Sequence, residues 1–198
     1  MENVVPKKVA TDEKIKELLD GIRGESKVMM GKVVVPTATI CSDRLVRIIK
    51  GGDMGPVNYL TAMVKDPAEK PVTSARAADI LGKCAASLDE TRRERALRAV
   101  AETFSGRGTI DYCVPYTFPA TLASLAGENL EKLKSAFKIL EGASRKVEAP
   151  REDLRGKGRV VIENLIEKEK DKRSEKLTES LALLNGKINL LSKQAVKG

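Results

Sequence analysis

The 198-residue chain contains no histidine, and that one absence removes a wide range of chemistry. Without an imidazole there is no Ser-His-Asp or Cys-His nucleophilic site and no histidine-ligated zinc or iron centre. Tryptophan is also absent, and aromatic residues amount to only 3%. A core must therefore rest on Leu, Ile, Val, Ala and Met, which suits helix packing better than a β-sandwich. Cysteine is scarce as well. Cys41, Cys84 and Cys113 are odd in number and widely spaced. They form neither a Cys-x-x-Cys zinc pair nor a disulfide framework, and read as small buried hydrophobes in a reducing compartment. Met1 to Ala10 lacks the apolar stretch of a signal peptide, and no run approaches a membrane span. The expectation is a soluble, cytoplasmic protein without metal or cofactor.

The glycine motifs that cradle phosphates fail on inspection. Gly82-Lys83-Cys84 has the end of a P-loop, but Ala77 stands where the first glycine belongs and Cys84 replaces the magnesium-binding hydroxyl. Gly51-Gly52-Asp53-Met54-Gly55 precedes Pro56 and reads as a helix stop and loop. Ser135-Ala136-Phe137-Lys138 matches Ser-x-x-Lys without its companion motifs. Lysine, tyrosine or carboxylate chemistry is the enzymatic alternative, and no motif localises it.

What the chain does have is positive charge. Lys and Arg number 36 against 28 Asp and Glu, a net charge of +8 with a pI near 9.4. Such a surplus suits an acidic partner: nucleic acid, an anionic membrane or an acidic protein. With 41% hydrophobic residues the chain is too apolar to be disordered.

Periodicity places a helix from Asp12 to Arg23, with Ile15, Leu18, Leu19 and Ile22 on one face, Thr11 as cap and Gly24 as stop. Val28 to Val35, interrupted at Gly31-Lys32, reads as a short strand or extended arm. A second helix begins at Ser42 and buries Leu45, Val46, Ile48 and Ile49. A third starts at Pro56 and runs through Tyr59, Leu60, Met63 and Val64. An alanine-rich fourth spans Ser74 to Ala86. Ser87 and Glu90 form a capping-box pattern for a fifth, ending near Phe104. After Gly106-Arg107-Gly108, residues Thr109 to Val114 read as extended, and helix returns from Ala120 to Leu140 with an interruption at Gly127.

The organisation expected is mainly α: a helical body over residues 1–142, a basic linker over 143–159 and a C-terminal helical arm over 160–198, with at most a few short strands. Val161, Leu165 and Ile166 open the arm. After the charged stretch Glu167 to Lys176, residues Leu177, Leu181, Leu184, Ile188 and Leu191 form a heptad seam, too short for a self-sufficient coiled coil. The seam must dock on a helical groove, and the polar linker makes a neighbouring copy's groove the expected one. These five residues are the candidate oligomerisation site. Asn185-Gly186 lies within the seam, and helix is favoured through it.

Three basic clusters are candidate nucleic-acid contacts. Arg44, Arg47 and Lys50 follow each other at steps of three. Arg92, Arg93, Arg95 and Arg98 crowd the fifth helix beside Glu90 and Glu94. Arg151, Arg155, Lys157 and Arg159 lie in the linker. Arginine's planar fork suits phosphate oxygens. The alternative for each cluster is a solvated helix face held by i,i+4 ion pairs. A fourth candidate is the segment Gly106 to Pro119, which joins Arg107 to Tyr112, Tyr116 and Phe118. Aromatic faces there can stack on unpaired bases or tuck the loop onto the core. Together these features imply a non-enzymatic, self-assembling nucleic-acid-binding protein, RNA before DNA, of nucleoprotein or coat-protein type. The location implied is cytoplasm or virion. A membrane-associated matrix or scaffold protein is the rival.

Overall fold

A computed structural model describes residues 10–107, 114–147, 175 and 178–194. Within these the fold is mainly α. The elements are α1 (Asp12–Arg23), β1 (Lys27–Met30), β2 (Val33–Pro36), α2 (Thr37–Lys50), α3 (Gly55–Lys65), α4 (Pro71–Lys83) and a 3-10 turn (Ala85–Ser87). They continue with α5 (Glu90–Arg107), α6 (Val114–Ala126) and α7 (Leu130–Val147), and a last helix, α8, covers 178–194.

The first helix forms where the apolar spacing places it. Thr11 accepts a hydrogen bond from the Lys14 amide, and Ile15, Leu18, Leu19 and Ile22 are all buried. Its C-terminal carbonyls are capped from another element: Arg76 of α4 donates through Nη1 to the Ile22 carbonyl at 2.7 Å and to that of Gly24 at 3.3 Å. This removes Arg76 from the pool of cations open to a ligand.

Helix α4 lies centrally, packed against α3, α6 and α2. Ala75, Ala77, Ala78 and Gly82 allow the close approach. A Cβ on Gly82 would stand 3.0 Å from Thr121 Oγ1 and 3.2 Å from its Cα. The buried hydroxyls find backbone acceptors across helix pairs: Thr121 donates to Ala78 at 3.2 Å and Thr103 to Val64 at 3.0 Å. Phe104 of α5 and Phe118 of α6, both fully buried, meet with centroids 6.2 Å apart and planes tilted by 42°.

Several boundaries differ from the expected ones. Helix α2 begins at Thr37, not Ser42, and no side chain caps it, so the β-branched run before Ser42 carried no start signal. Helix α4 begins at Pro71, three residues before Ser74, with proline in the first turn where its missing N–H costs nothing. The cap of α5 is Asp89 in place of Ser87: its Oδ1 accepts from the Arg92 amide at 2.8 Å. Helix α6 begins at Val114, so Pro115 and Pro119 lie within it and not before it. Pro115 sits in the first turn, and Pro119 leaves only one early ladder bond unmade. Helix α7 continues through Gly142 to Val147, carrying helical structure past the expected end of the body.

The Val28 to Val35 segment is an antiparallel hairpin. Val28 pairs with Val35, Met29 with Val34 and Met30 with Val33. Gly31, at φ +63°, opens the turn, as a glycine tolerates. The base is clamped where the Thr37 amide donates to the Ser26 carbonyl and the two hydroxyls hydrogen-bond, each at 2.9 Å.

The C-terminal seam has an intrachain partner. Leu184 is 1% exposed within the hydrophobic core, and Leu181, Ile188 and Leu191 pack against that core from α8. Leu177 lies outside the described residues. The expectation that a neighbouring copy supplies the groove is thus replaced by docking on the chain's own body. Asn185 and Gly186 stay within the helix.

Candidate nucleic-acid interface

Helix α2 carries the basic row in its most accessible form. The helix buries Ala38, Cys41, Leu45 and Ile49, and that spacing turns Arg44, Arg47 and Lys50 outward, where all three are exposed. Among the described residues no carboxylate lies within ion-pairing distance of any of them. Arg47 and Lys50 occupy the last turn, favourable for cations against the helix dipole. The acidic residue just past that turn, Asp53, is held elsewhere: it accepts from the Ala10 amide at 2.9 Å and from the Gly55 amide at 3.0 Å.

The cluster on α5 is built differently. Arg92 is joined to Asp89, Arg93 to Glu90 at 2.9 Å, and Arg98 lies 3.9 Å from Glu94. Glu90 is also bonded to Lys132 of α7, and that hydrogen bond, reinforced by the lysine charge, lowers the Glu90 pKa. The hydrogen bond from the Arg92 amide is the largest cause lowering that of Asp89. Arg93 Nε is buried without a hydrogen-bond partner, and a Cβ on Gly127 would come within 3.3 Å of its Nη1, so this arginine packs at the α6–α7 turn. Arg95 alone of the four is exposed with no ion pair among the described residues. Three of the four α5 arginines are thus ion-paired, whereas Arg44, Arg47 and Lys50 of α2 are not so paired among the described residues.

Phe118 belongs to the core, which fixes one end of the aromatic segment as packing. Arg107 ends α5 and Tyr116 lies on α6, but their side chains fall outside the described residues, as do Tyr112, Arg151, Arg155, Lys157 and Arg159 altogether.

An open groove of about 500 Å³ runs between α1 and α3, with Lys16, Asp20, Arg23, Tyr59, Asp66 and Glu69 among its lining. Its lining thus holds one lysine together with three carboxylates. Its acids are engaged, however: Arg23 bridges Glu69 at 2.6 Å and Asp20 at 2.9 Å, and Asp66 accepts from the Ala68 amide at 2.8 Å. Among the described residues no group of three potential ligands is placed to hold a metal ion, and no helix is long and apolar enough to cross a membrane.

Sequence reasoning passed over one feature. Lys27 starts and Lys32 turns an exposed apolar hairpin, whose signal, a β-branched and methionine run broken at Gly31-Lys32 and with no acidic residue, was visible but short. Comparison with known proteins finds no matching family model, no matching curated protein and no matching solved structure.

Proposed function

We propose that this chain is a non-enzymatic structural protein that binds nucleic acid and self-assembles, an RNA-packaging nucleoprotein or coat protein acting in the cytoplasm or the virion. The observation that carries the reading is the row Arg44, Arg47 and Lys50, exposed on α2 and free of ion pairs among the described residues. A cation without a carboxylate partner releases counterions when it meets phosphate and loses no protein contact in doing so. The overall charge of +8 supplies the long-range attraction.

The test is direct. Protein purified without nuclease should carry an elevated ratio of absorbance at 260 nm to that at 280 nm. Its affinity for mixed-sequence RNA should fall log-linearly with salt, with little sequence preference. Purified protein free of nucleic acid, together with an affinity that ignores salt, would end the proposal.

A further inference from the structure

Five of the large hydrophobic side chains that the fold leaves exposed sit together on the β1–β2 hairpin. Met29 is 67% exposed, Val33 62%, Met30 57%, Val34 54% and Val28 41%. Alternation along the strands puts Val28, Met30, Val33 and Val35 on one face and Met29 with Val34 on the other. Both faces are therefore apolar and wet. A contiguous exposed patch of this kind marks an interaction surface.

The backbone adds a second requirement. Among the described residues the sheet has two strands, so each has an edge without a neighbouring strand there. With Met30 and Val33 closing a two-residue turn, Val34 aims its N–H and C=O away from β1. The edge of β2 carries no mid-strand charge and no bulge, Lys27 being at the start of the hairpin and Lys32 in its turn; its protections are the shortness of the strand and Pro36 at its end.

These features select the occupant. A bilayer would cover the faces but leave the edge groups unpaired, and Lys32 at the tip would enter the hydrocarbon first. A strand satisfies edge and face together. We infer that the occupant is the same hairpin of a second copy, with β2 pairing antiparallel to β2 about a two-fold axis at Val34. In that register Val33 faces Val35 of the other copy and Lys32 faces Pro36, so no lysine opposes a lysine. The result is a four-stranded sheet with continuous apolar faces, and the self-complementarity is what an isologous contact demands.

The exposed surface of these five residues adds up to fewer than three whole residues per copy, short of the roughly 800 Å² per partner of a standard stable interface. The contact is therefore weak in isolation and is reinforced when copies are held side by side on a polymer. The inference rests on the proposed function for that reinforcement and names the contact behind its self-assembly.

Sedimentation velocity on the nuclease-treated full chain, over a wide concentration range and at two salt concentrations, tests it. Wild type should associate as concentration rises. Added salt should strengthen association by screening the net positive charge, whereas it weakens RNA binding. Met29→Thr/Val34→Thr keeps strand-forming residues at exposed positions. It should shift association to concentrations at least about tenfold higher, with the melting temperature and the affinity for a short RNA that holds one copy unchanged. In a Cys113→Ser background, Val34→Cys should trap a dimer on oxidation, since directly paired Cα atoms lie about 5.5 Å apart. A wild type that stays monomeric with and without RNA, a double variant that associates like wild type, or a Val34→Cys protein that does not cross-link would each overturn the contact. Flotation with phosphatidylserine vesicles that the double variant abolishes, without self-association, would assign the hairpin to a membrane and equally overturn it. Association through the hairpin with no RNA binding would keep the contact and remove the proposed function.

Discussion

Gly21 of α1 faces Cys41 of α2 so closely that a Cβ on the glycine would overlap the Cys41 sulfur and lie 3.2 Å from its Cβ. Both residues are helical, so Gly21→Ala has two opposed effects. Helix propensity favours alanine by about 1 kcal/mol, while overpacking a filled contact costs about 1–3 kcal/mol. The overlap involves the Cys41 Cβ as well as the sulfur, which limits relief by rotation. Gly21→Ala is expected to lower the unfolding midpoint, and adding Cys41→Ala should restore it. Denaturant melts of the two variants check this, and a Gly21→Ala protein as stable as wild type would show that α1 and α2 move apart freely.

The contrast between α2 and α5 gives a test of location. Replacing Arg44, Arg47 and Lys50 by Gln should reduce the slope of log affinity for single-stranded RNA against log salt by up to about 2. Replacing Arg92, Arg93, Arg95 and Arg98 removes more charge but should change the slope less, because three of the four already face carboxylates. Binding titrations at four or five salt concentrations compare them. A larger effect from the α5 replacements would move the interface to that helix.

How much of this was legible depended on whether a local signal existed. For α1 everything was local: the 3-4 spacing of Ile15, Leu18, Leu19 and Ile22, the Thr11 hydroxyl and the Gly24 stop. For α2 the body was legible from Leu45 and Ile49, but its first turn, Thr37 to Ile40, follows a β-branched run and has no capping side chain. Pro119 looked like punctuation because proline costs most in a helix interior, yet it lies inside α6. The basic residues were all legible as residues, yet their worth was not. Whether an arginine is free depends on rotamers and on residues as distant as Lys132 is from Glu90, and no spacing rule reaches that far. The destination of the leucine seam was equally beyond local reading, since a stripe states that it must be covered and not by what.

Cys84 offers a pH-dependent test of burial. Desolvation is the largest cause pushing its thiol up, from an ordinary 9.0 to about 11, and the residue is 1% exposed. The folded state therefore holds the proton more tightly than the unfolded state does. The contribution is fully present below pH 9 and is lost as pH rises toward 11, amounting to roughly 2–3 kcal/mol. The stability of wild type relative to Cys84→Ala should fall over that interval, measured by urea melts at pH 8 and pH 10.5. A difference that does not change between the two pH values would mean that the thiol titrates normally in the folded chain.

The packing of α8 decides what the C-terminal arm is for. Leu183 and Leu184 are sequence neighbours with opposite environments, 67% and 1% exposed. Leu184→Ala should destabilise the chain by about 2–5 kcal/mol, the usual range for a buried leucine, whereas Leu183→Ala should change stability by no more than about 0.5 kcal/mol. Ending the chain after Arg173 removes Leu184 together with Leu181, Ile188 and Leu191, which pack against the same core. That truncation should lower thermal stability more than Leu184→Ala does. An arm that served a neighbour instead would give the opposite pattern: a truncated body with unchanged melting temperature and reduced oligomer size in light scattering. If the arm belongs to its own core, self-association measured below the melting temperature should survive Leu184→Ala and shift to higher concentration in Met29→Thr/Val34→Thr. The two sets of variants therefore separate the residues that complete one copy from those that join it to the next.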